Sequence, residues 1–218
     1  MEISLSVRIK TILKLIRSPK TLRALLSLRH VGYLIDNGWF NSFDSKTPLN
    51  SNNEPIPWLT YPFIDFITPR LSNQLTVFEF GAGNSTFFYA KRVKEVFSVE
   101  HNRDWYNKIS NEIKGNVNLI YKEVDDEYPK VIQSFNKKFD IIIIDAEERV
   151  NCIKNSLDAL NDSGVIILDD SERIEYKEGI DFLKENGFKQ LDFWGIAAGI
   201  LFKKCTSIFY KTGNCLEI

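Results

Sequence analysis

The sequence of 218 residues predicts an α/β fold: a doubly wound, mostly parallel sheet of seven strands with an antiparallel last strand, preceded by an N-terminal helical extension. From residue 76 onwards, segments with strand character alternate with segments of helical periodicity, which is typical of doubly wound sheets. The stretch 139–145 contains four consecutive isoleucines, and such a β-branched run indicates a strand buried on both faces. The last strand follows its predecessor without a helix between them, so it should pair as an antiparallel hairpin.

The predicted elements follow one another in a regular order. The seven strands are expected at residues 76–80, 95–100, 117–123, 139–145, 164–169, 188–194 and 206–211. The connecting helices are expected at residues 87–93, 105–113, 129–135, 150–160 and 176–185. Another helix is expected to begin at Pro62 and to lead into the first strand, because proline is favoured in the first turn of a helix.

The first thirty residues differ in character from the rest. Seven basic side chains stand against a single acid, Glu2, and apolar residues recur at helical spacing between residues 9 and 28. Pro19 interrupts the pattern and can open a second helix. No apolar run reaches the roughly 18 residues needed to span a bilayer, and Lys14 interrupts the one short run, which argues against a signal-peptide core. Two interpretations of residues 5–29 stay open: a peripheral contact with an anionic membrane surface, or packing on the domain or on a second subunit of a homo-oligomer.

The segment 36–62 is rich in Asn, Ser and Pro, and Trp39, Phe40 and Trp58 are interleaved with them. Because a flexible linker would not carry so many aromatic residues, this irregular segment should pack on the domain, where it could cover a pocket as a lid. The predicted organisation is an N-terminal part, residues 1–54, with the amphipathic helices and the lid, followed by an α/β domain, residues 55–218.

The composition restricts the class of protein. Apolar residues make up 44% and charged residues 26%, which is ordinary for a globular chain, and the net charge of −1 gives no global attraction to nucleic acid. The three cysteines lack C-x-x-C spacing and a nearby histidine pair, so a zinc site is not expected. Their odd number without a signal peptide fits a reducing compartment. We therefore expect a cytoplasmic protein, with peripheral contact at the inner face of the membrane as an open addition.

The stretch from Val77 to Thr86, VFEFGAGNST, is the most informative part of the sequence. An apolar run that contains Glu79 turns on Gly81 and Gly83 into a helix-like segment, and glycines at such a turn bring bare backbone N–H groups up to a ligand. Thr86 replaces the third glycine of the dinucleotide pattern G-x-G-x-x-G, and Glu79 would repel a pyrophosphate. The turn therefore favours a ligand with an ammonium group and no phosphate, such as S-adenosylmethionine (SAM).

Carboxylates are predicted at the carboxyl ends of five successive strands, which is where ligands bind in sheets of this type. Glu100 ends the second strand and can accept two hydrogen bonds from a ribose diol. Asp and Glu are also common capping and turn residues, and for Asp169 and Asp170 that interpretation stays open. The full set comprises Glu79, Glu100, Asp125, Asp145, Asp169 and Asp170.

The pattern E-x-G-x-G-x-S at residues 79–85 resembles motif I of the class I SAM-dependent methyltransferases, which have a Rossmann-like fold. The segments FEFGAGNSTFFYA, VFSVEHNRDWY, FDIIIIDAEERV and TSIFYKTGNCLEI make residues 55–218 similar to a group of little-characterised bacterial methyltransferase-like proteins from surface-polysaccharide regions. The final strand without a preceding helix agrees with this resemblance. The third small residue of the motif, commonly Gly, is Ser85 here.

The resemblance implies a role in cofactor binding for the glycine turn. Glu79, Gly81 and Gly83 are expected to surround the methionine half of SAM. Asn84 or Ser85 is expected to add polar contacts.

The resemblance also implies roles for residues that follow the next strands. Glu100 is expected to bind the ribose hydroxyls, and His101 either packs near the adenine or is an ordinary surface histidine. Asp125 is expected to contact the adenine amine, with Asp126 as the alternative if the strand ends one residue later. Asp145 is expected beside the transferred methyl group.

Two chemical routes follow from the acids near the transfer site. Asp145 is the best candidate for a general base, provided that burial raises its pKa towards neutrality. In the second route, Asp145, Asp169 and Asp170 resemble the ligands of cation-dependent O-methyltransferases, which use Asp, Asp and Asn. Such hard oxygen ligands suit Mg²⁺. The final Asp departs from that family, so Mg²⁺ is the less favoured route.

The predicted function is SAM-dependent methyl transfer to a small-molecule or saccharide acceptor, on oxygen. Two alternatives stay open: a different reaction on the same fold, such as aminopropyl transfer, and a non-catalytic nucleoside-binding partner module. Thr86 and the final strand disfavour an NAD-dependent oxidoreductase. A nucleic-acid acceptor is not expected, because the sequence has no N/D-P-P-Y/F motif and no basic stripe outside the N-terminal helices.

Overall fold

Seven strands form one sheet at the centre of the molecule in the computed structural model, which describes residues 4–218. The strands are β1 (Thr76–Phe80), β2 (Glu95–Glu100), β3 (Val117–Tyr121), β4 (Phe139–Ile144), β5 (Leu160–Asp169), β6 (Lys189–Gly195) and β7 (Lys204–Tyr210). Their order in the sheet is β3-β2-β1-β4-β5-β7-β6, and β7 is antiparallel to both neighbours. The fold class predicted from the sequence is confirmed.

Nine α-helices are assigned within residues 4–218. They are α1 (Leu5–Ile16), α2 (Pro19–Ser27), α3 (Tyr33–Asp36), α4 (Trp39–Ser45), α5 (Tyr61–Ile67), α6 (Asn84–Ala90), α7 (Arg103–Ser110), α8 (Arg149–Ser156) and α9 (Lys177–Glu185). Short 3₁₀ helices cover Thr68–Arg70, Tyr128–Phe135, Leu157–Ala159 and Ile174–Tyr176. Pro62 lies in the first turn of α5, as expected.

Both faces of the sheet are buried, because successive side chains of its central strands enter two separate apolar clusters. In β4, Ile141 and Ile143 belong to one cluster, whereas Ile142 and Ile144 belong to the other. Side chains from α5 and α6 complete the first cluster, and side chains from α8 and α9 complete the second. Each such buried isoleucine stabilises the fold by about 1.5–3 kcal/mol relative to an exposed one.

The helix boundaries differ from the prediction at several places. Helix α6 begins three residues early, at Asn84, because the Thr86 hydroxyl accepts a hydrogen bond from the Gly83 N–H and satisfies a free donor of the first turn. The helix expected at 129–135 is a 3₁₀ helix. The helix expected at 150–160 ends early, and β5 already begins at Leu160, opposite Phe139 of β4.

The segment expected to be irregular contains helix α4 and packs on the sheet domain. Trp39 and Ile56, which lie on either side of the predicted domain boundary between residues 54 and 55, belong to the same core cluster. Thr60 forms a β-bridge with Ala197, and its hydroxyl donates to the Phe193 carbonyl at 3.0 Å. The lid segment is thus joined to the far end of the chain, and the domain boundary itself stays a prediction.

Helices α1 and α2 lie outside this core, and none of their residues is buried. Both lie within residues 5–29, where amphipathic helices were expected, and Pro19 lies in the first turn of α2. No helix within residues 4–218 is long and apolar enough to cross a membrane.

Candidate active site

The chain turns sharply after β1, where only glycine fits. Gly81 has a φ of +91°, and a Cβ placed on it would lie 2.3 Å from the backbone oxygen of Asp145. The Gly81 N–H donates to Val99 O at 2.9 Å, and the Asp145 N–H donates to Phe80 O at 3.1 Å. The turn is therefore fixed on both sides, by β2 and by the residue that follows β4.

Glu79 supports this turn from inside the protein. Its side chain is only 1% exposed and does not line the cavity described below. The Thr86 hydroxyl donates to Glu79 Oε2 at 2.6 Å while accepting from the Gly83 N–H at 3.0 Å, and the Ser98 hydroxyl donates to the same Oε2 at 3.1 Å. Burial raises the pKa of Glu79 to about 7. Thr86, which replaces the third glycine of the dinucleotide pattern, thus connects the acid of β1 to the backbone of the turn.

Glu100 lies at the end of β2 and faces the cavity. Its Oε2 accepts from the Ala82 N–H at 3.1 Å, and its Oε1 accepts from the Asn102 N–H at 2.6 Å. A carboxylate has about four acceptor positions, so two remain for a ligand. His101 follows with its Nδ1 3.5 Å from Glu100 Oε1, and within the described residues this buried nitrogen has no hydrogen-bond partner.

These residues form the floor of a cavity of about 500 Å³ at the carboxyl ends of β1, β2 and β4. The N-terminal segment supplies the opposite wall, where Asn84 Nδ2 donates to Pro48 O at 2.7 Å. Trp105 of α7 closes one side, with its indole N–H donating to Ala82 O at 2.7 Å. The lining residues are Ser45, Lys46, Thr47, Pro48, Trp58, Gly81, Ala82, Gly83, Asn84, Ser85, Glu100, His101, Trp105, Lys108 and Asp145.

Most of the residues singled out in the sequence meet in this cavity. Those that line it are Gly81, Gly83, Asn84, Ser85, Glu100, His101 and Asp145, whereas Glu79, Asp125, Asp169 and Asp170 do not. Asp125 lies in a separate depression with Asp126, because β3 ends at Tyr121 and the chain then turns away. The Lys122 ammonium, 2.6 Å from Asp125 Oδ2, lowers the pKa of this exposed carboxyl. Its expected contact with an adenine stays a prediction.

The sequence analysis did not single out Trp105, Lys108 or residues 45–48 as site residues. Trp105 and Lys108 are three residues apart on α7, directly after the strand that ends in Glu100, so the helical period could have placed both near that acid. The wall formed by residues 45–48 has no local signal, because it depends on how the N-terminal segment folds back over the sheet. Trp58 was part of the predicted lid, and it does line the cavity.

Arg149 organises the acids that follow β4 and β5. Its Nη2 donates to Asp145 Oδ1 at 3.0 Å, its Nε to Ala146 O at 2.9 Å and its Nη1 to Asp169 O at 2.6 Å. Asp145 is thus held at the cavity through one carboxylate oxygen. Within the described residues, its other oxygen, Oδ2, makes no hydrogen bond.

Lys204, at the start of β7, neutralises the two acids that end β5. Its Nζ lies 2.5 Å from Asp169 Oδ2 and 2.7 Å from Asp170 Oδ1, and the lysine is only 5% exposed. Burial alone would lower the pKa of Lys204, but the two carboxylates outweigh it and raise that pKa. Arg173 Nη2 binds the other Asp170 oxygen at 2.6 Å.

Mg²⁺ does not fit this arrangement. The described residues contain no group of three or more acidic, histidine or cysteine side chains that could hold a metal ion. Asp145, Asp169 and Asp170 instead converge on Arg149 and Lys204, and these fixed cations would repel a divalent ion from the same carboxylates.

Comparisons with known proteins agree with the fold. A family model described as a methyltransferase domain matches residues 78–171, which run from β1 through the glycine turn, Glu100 and Asp145 to the end of β5. No curated protein matches the sequence.

Several solved structures have a similar fold. An rRNA methylase from Streptococcus thermophilus is 18% identical, with a TM-score of 0.52 over 67% of this chain and 92% of that chain. A candidate caffeoyl-CoA O-methyltransferase from Staphylococcus aureus is 17% identical, with a TM-score of 0.54 over 87% and 98% of the two chains. A candidate methyltransferase from Streptococcus mutans, in complex with SAH, is 16% identical, with a TM-score of 0.51 over 70% and 99%. At these identities the likeness establishes the fold alone.

We predict that Gly81→Ala destabilises the protein more than Gly115→Ala does. Both glycines have a positive φ, but a Cβ on Gly115 meets nothing within 4 Å, whereas one on Gly81 meets the Asp145 oxygen at 2.3 Å. Gly115→Ala should cost about 1 kcal/mol, the strain of the left-handed backbone. Gly81→Ala should cost about 3 kcal/mol or more, because the carbonyl must also move. Urea unfolding measures both, and equal losses would contradict the close approach.

We also predict that Glu79 makes the protein less stable as the pH rises. In the unfolded chain the carboxyl ionises near its ordinary pKa of 4.5, but in the folded protein it ionises only at about 7. Between these values the unfolded state loses its proton first, so the free energy of unfolding should fall by about 3 kcal/mol and then stay constant. Glu79→Gln should lack this component.

The measurement is urea unfolding of the wild type and of Glu79→Gln at pH 4 and pH 8. From pH 4 to pH 8, the free energy of unfolding of the wild type should fall by about 3 kcal/mol more than that of the variant. Glu112→Gln, at an exposed position in the turn after α7, is the matched control and should follow the wild type. Parallel pH curves for Glu79→Gln and the wild type would show that the buried carboxyl titrates normally.

Proposed function

We propose that the chain is a SAM-dependent methyltransferase that transfers a methyl group to an oxygen atom of a small or glycan-like acceptor. Its fold is that of the class I SAM-dependent methyltransferases, and residues 78–171 match a methyltransferase-domain model. The observation that carries the proposal is the shared cavity of the glycine turn, Glu100 and Asp145. It combines a bare backbone, an acid suited to a ribose and a carboxylate suited to accept a proton.

The lining residues fit SAM as the cofactor. A side chain at Gly81 would obstruct the turn, Glu100 keeps two acceptor positions for hydroxyl groups, and His101 presents a buried nitrogen without a partner within the described residues. Asn84 and Ser85 add polar side chains to the same wall. When bound, SAM supplies a sulfonium-activated methyl group, and the protein has to align the acceptor with it.

Glu79 enters this proposal as a support of the turn. Its carboxyl is committed to Thr86 and Ser98 and lies behind the backbone of the cavity floor. We propose that it fixes Gly83 through Thr86, so that the backbone N–H groups of the turn keep their orientation.

Asp145 is our candidate for the general base. Arg149 binds one oxygen of the carboxylate and fixes its direction, and the other oxygen is available to an acceptor hydroxyl in the cavity. With the hydroxyl proton transferred to Asp145, the acceptor oxygen would be nucleophilic enough to form a bond to the methyl carbon of bound SAM, while the bond from that carbon to sulfur breaks and SAH leaves.

Several features support a small acceptor over a nucleic acid. The cavity is about 500 Å³, Trp58 forms part of its wall, and two lysines, Lys46 and Lys108, lie at its border. The chain as a whole carries a charge of −1, and its densest group of basic residues lies in the N-terminal helices, outside the cavity lining. We place the reaction in the cytoplasm, since all three cysteines are free thiols, as expected in a reducing compartment.

The decisive test of cofactor binding is calorimetry with SAM and SAH. We expect the wild type to bind both, and Glu100→Ala to bind SAH about 10–100-fold more weakly, because charge-assisted hydrogen bonds to the ribose are lost. A 2′-deoxy analogue of SAH should lose less affinity on the same substitution, since it makes one bond fewer. Glu112→Ala is the control. Unchanged SAH binding by Glu100→Ala would contradict the assigned role of this acid.

The test of the reaction is SAH formation with a panel of hydroxylated sugars and small phenols. Asp145→Asn should keep SAH affinity within about threefold and reduce the rate of transfer by about 10²–10⁴-fold, the usual contribution of a general base. Asp158→Asn, at an exposed position, is the matched control. EDTA should leave the rate unchanged, because the acids near the cavity are bound to cations of the chain itself.

Two outcomes would favour the alternative functions. Binding of SAH without turnover of any acceptor would favour a non-catalytic partner module. Release of methylthioadenosine from decarboxylated SAM would favour aminopropyl transfer on the same fold.

A further inference from the structure

Helices α1 and α2 expose apolar side chains that no other part of the described chain buries. In α1 the apolar side chains recur at intervals of three and four residues, which places them on one side of the helix. They are 50–72% exposed, a large fraction for aliphatic residues at helical spacing. The exposed apolar residues on this side of α1 are Leu5, Ile9, Ile12, Leu13 and Ile16, and Leu25, Leu26 and Leu28 are exposed in or just after α2. Val7 is exposed on the opposite side of α1.

The same segment carries a concentrated positive charge. Residues 1–30 contain seven basic side chains and one acid, which gives them a net charge of +6 and leaves −7 for the remainder of the chain. On α1, Lys10, Lys14 and the adjacent Arg17 lie away from the apolar face. The seven basic residues are Arg8, Lys10, Lys14, Arg17, Lys20, Arg23 and Arg29.

We propose that α1 and α2 bind the surface of a membrane that contains anionic lipids. An amphipathic helix of this kind inserts its apolar face into the boundary between headgroups and acyl chains, while its basic side chains reach the lipid phosphates. A helix of twelve residues is far too short to cross the bilayer, so the pair lies in the plane of the surface.

Charge complementarity favours this partner over a second copy of the helices. Two such segments brought face to face would place +6 against +6 around a shared apolar stripe, and the repulsion would oppose the contact. An anionic leaflet offers both the apolar layer and the opposite charge. The acidic remainder of the chain would be repelled from the same surface, so only the helix pair inserts.

The helix pair is connected to the wall of the cavity. Arg29, just after α2, forms an ion pair with Asp44 at 3.1 Å and lies 5.0 Å above the ring of Phe40, both in α4. The last residue of α4, Ser45, lines the cavity. Membrane-bound helices would therefore hold the enzyme with its N-terminal cavity wall next to the attachment point.

The test is co-sedimentation of the full chain with lipid vesicles. Neutral phosphatidylcholine vesicles are compared with vesicles that contain about 30 mol% phosphatidylglycerol, a composition that gives a strongly negative surface. We expect at least about tenfold tighter binding to the anionic vesicles, and release when the salt rises from about 0.1 to about 0.5 M. Absence of binding, or equal binding to both vesicle types, would overturn the proposal.

Charge-matched variants locate the contact. Lys10→Glu/Lys14→Glu should weaken binding to anionic vesicles by at least about tenfold, because each lost basic residue removes a substantial part of the attraction. Lys184→Glu/Lys189→Glu changes the net charge equally at exposed positions of the α/β domain and should change binding less than about twofold. Equal losses in both pairs would mean that net charge alone drives binding, and would overturn the assigned site.

An apolar variant distinguishes the membrane from a second copy. Ile12→Gln/Ile16→Gln should also abolish vesicle binding. In sedimentation equilibrium, both the wild type and this variant should be monomeric. A wild-type dimer that this variant dissociates, without vesicle binding, would show that a second copy covers the face and would overturn the proposal. Circular dichroism and thermal unfolding confirm that each variant is folded. None of these readouts uses SAM, so the result is independent of the proposed reaction.

Discussion

The close approach between the backbone of Gly81 and the carbonyl oxygen of Asp145 is the constraint on which the cavity depends. β1 and β4 are in register, with Phe80 opposite Ile144, so the two chains leave the sheet side by side with space for only a hydrogen at the first residue. The left-handed conformation of Gly81 then turns the chain so that the N–H of the next residue reaches Glu100 on β2. One glycine thereby sets the relative positions of Glu100, the proposed ribose-binding acid, and Asp145, the proposed base.

The acids that follow β4 and β5 differ in the cations that they contact. Asp145 lines the cavity, and one of its carboxylate oxygens accepts a hydrogen bond from Arg149. Asp169 and Asp170 are buried outside the cavity lining and form ion pairs with Lys204. Buried carboxylates are costly without a partner, and a buried lysine that contacts two of them offsets much of that cost. The two acids at the end of β5 therefore stabilise the contact between β5 and β7, and of the acids that follow β4 and β5 only Asp145 lines the cavity.

The sheet was predictable because its strands are dense in β-branched and aromatic residues, and the bounds of β1 and β2 agree with the prediction to the residue. The glycine turn and Glu100 were also local signals. The role of Thr86 could not be predicted from the sequence, because a threonine in place of a glycine does not by itself show which acid its hydroxyl binds. Lys204 had no local signal either, because it lies 35 positions after Asp169 and contacts it only through the antiparallel pairing of β5 and β7. Asp125 lies outside the cavity because β3 ends at Tyr121, earlier than the sequence pattern indicates, and its expected role stays a prediction.

The connection between β6 and β7 reaches across the molecule to the N-terminal segment. The indole of Trp39 donates to Ile200 O at 3.0 Å, and the indole of Trp58 donates to Ala198 O at 2.7 Å, so both contacts join residues at least 140 positions apart. Closing loops of this size is slow, because chain entropy is lost before such contacts form. During synthesis the glycine turn and Glu100 can fold first. The wall formed by the N-terminal segment can pack in place only after the connection between β6 and β7 has been made. A ribosome-bound chain would thus form the floor of the cavity before it forms the wall opposite.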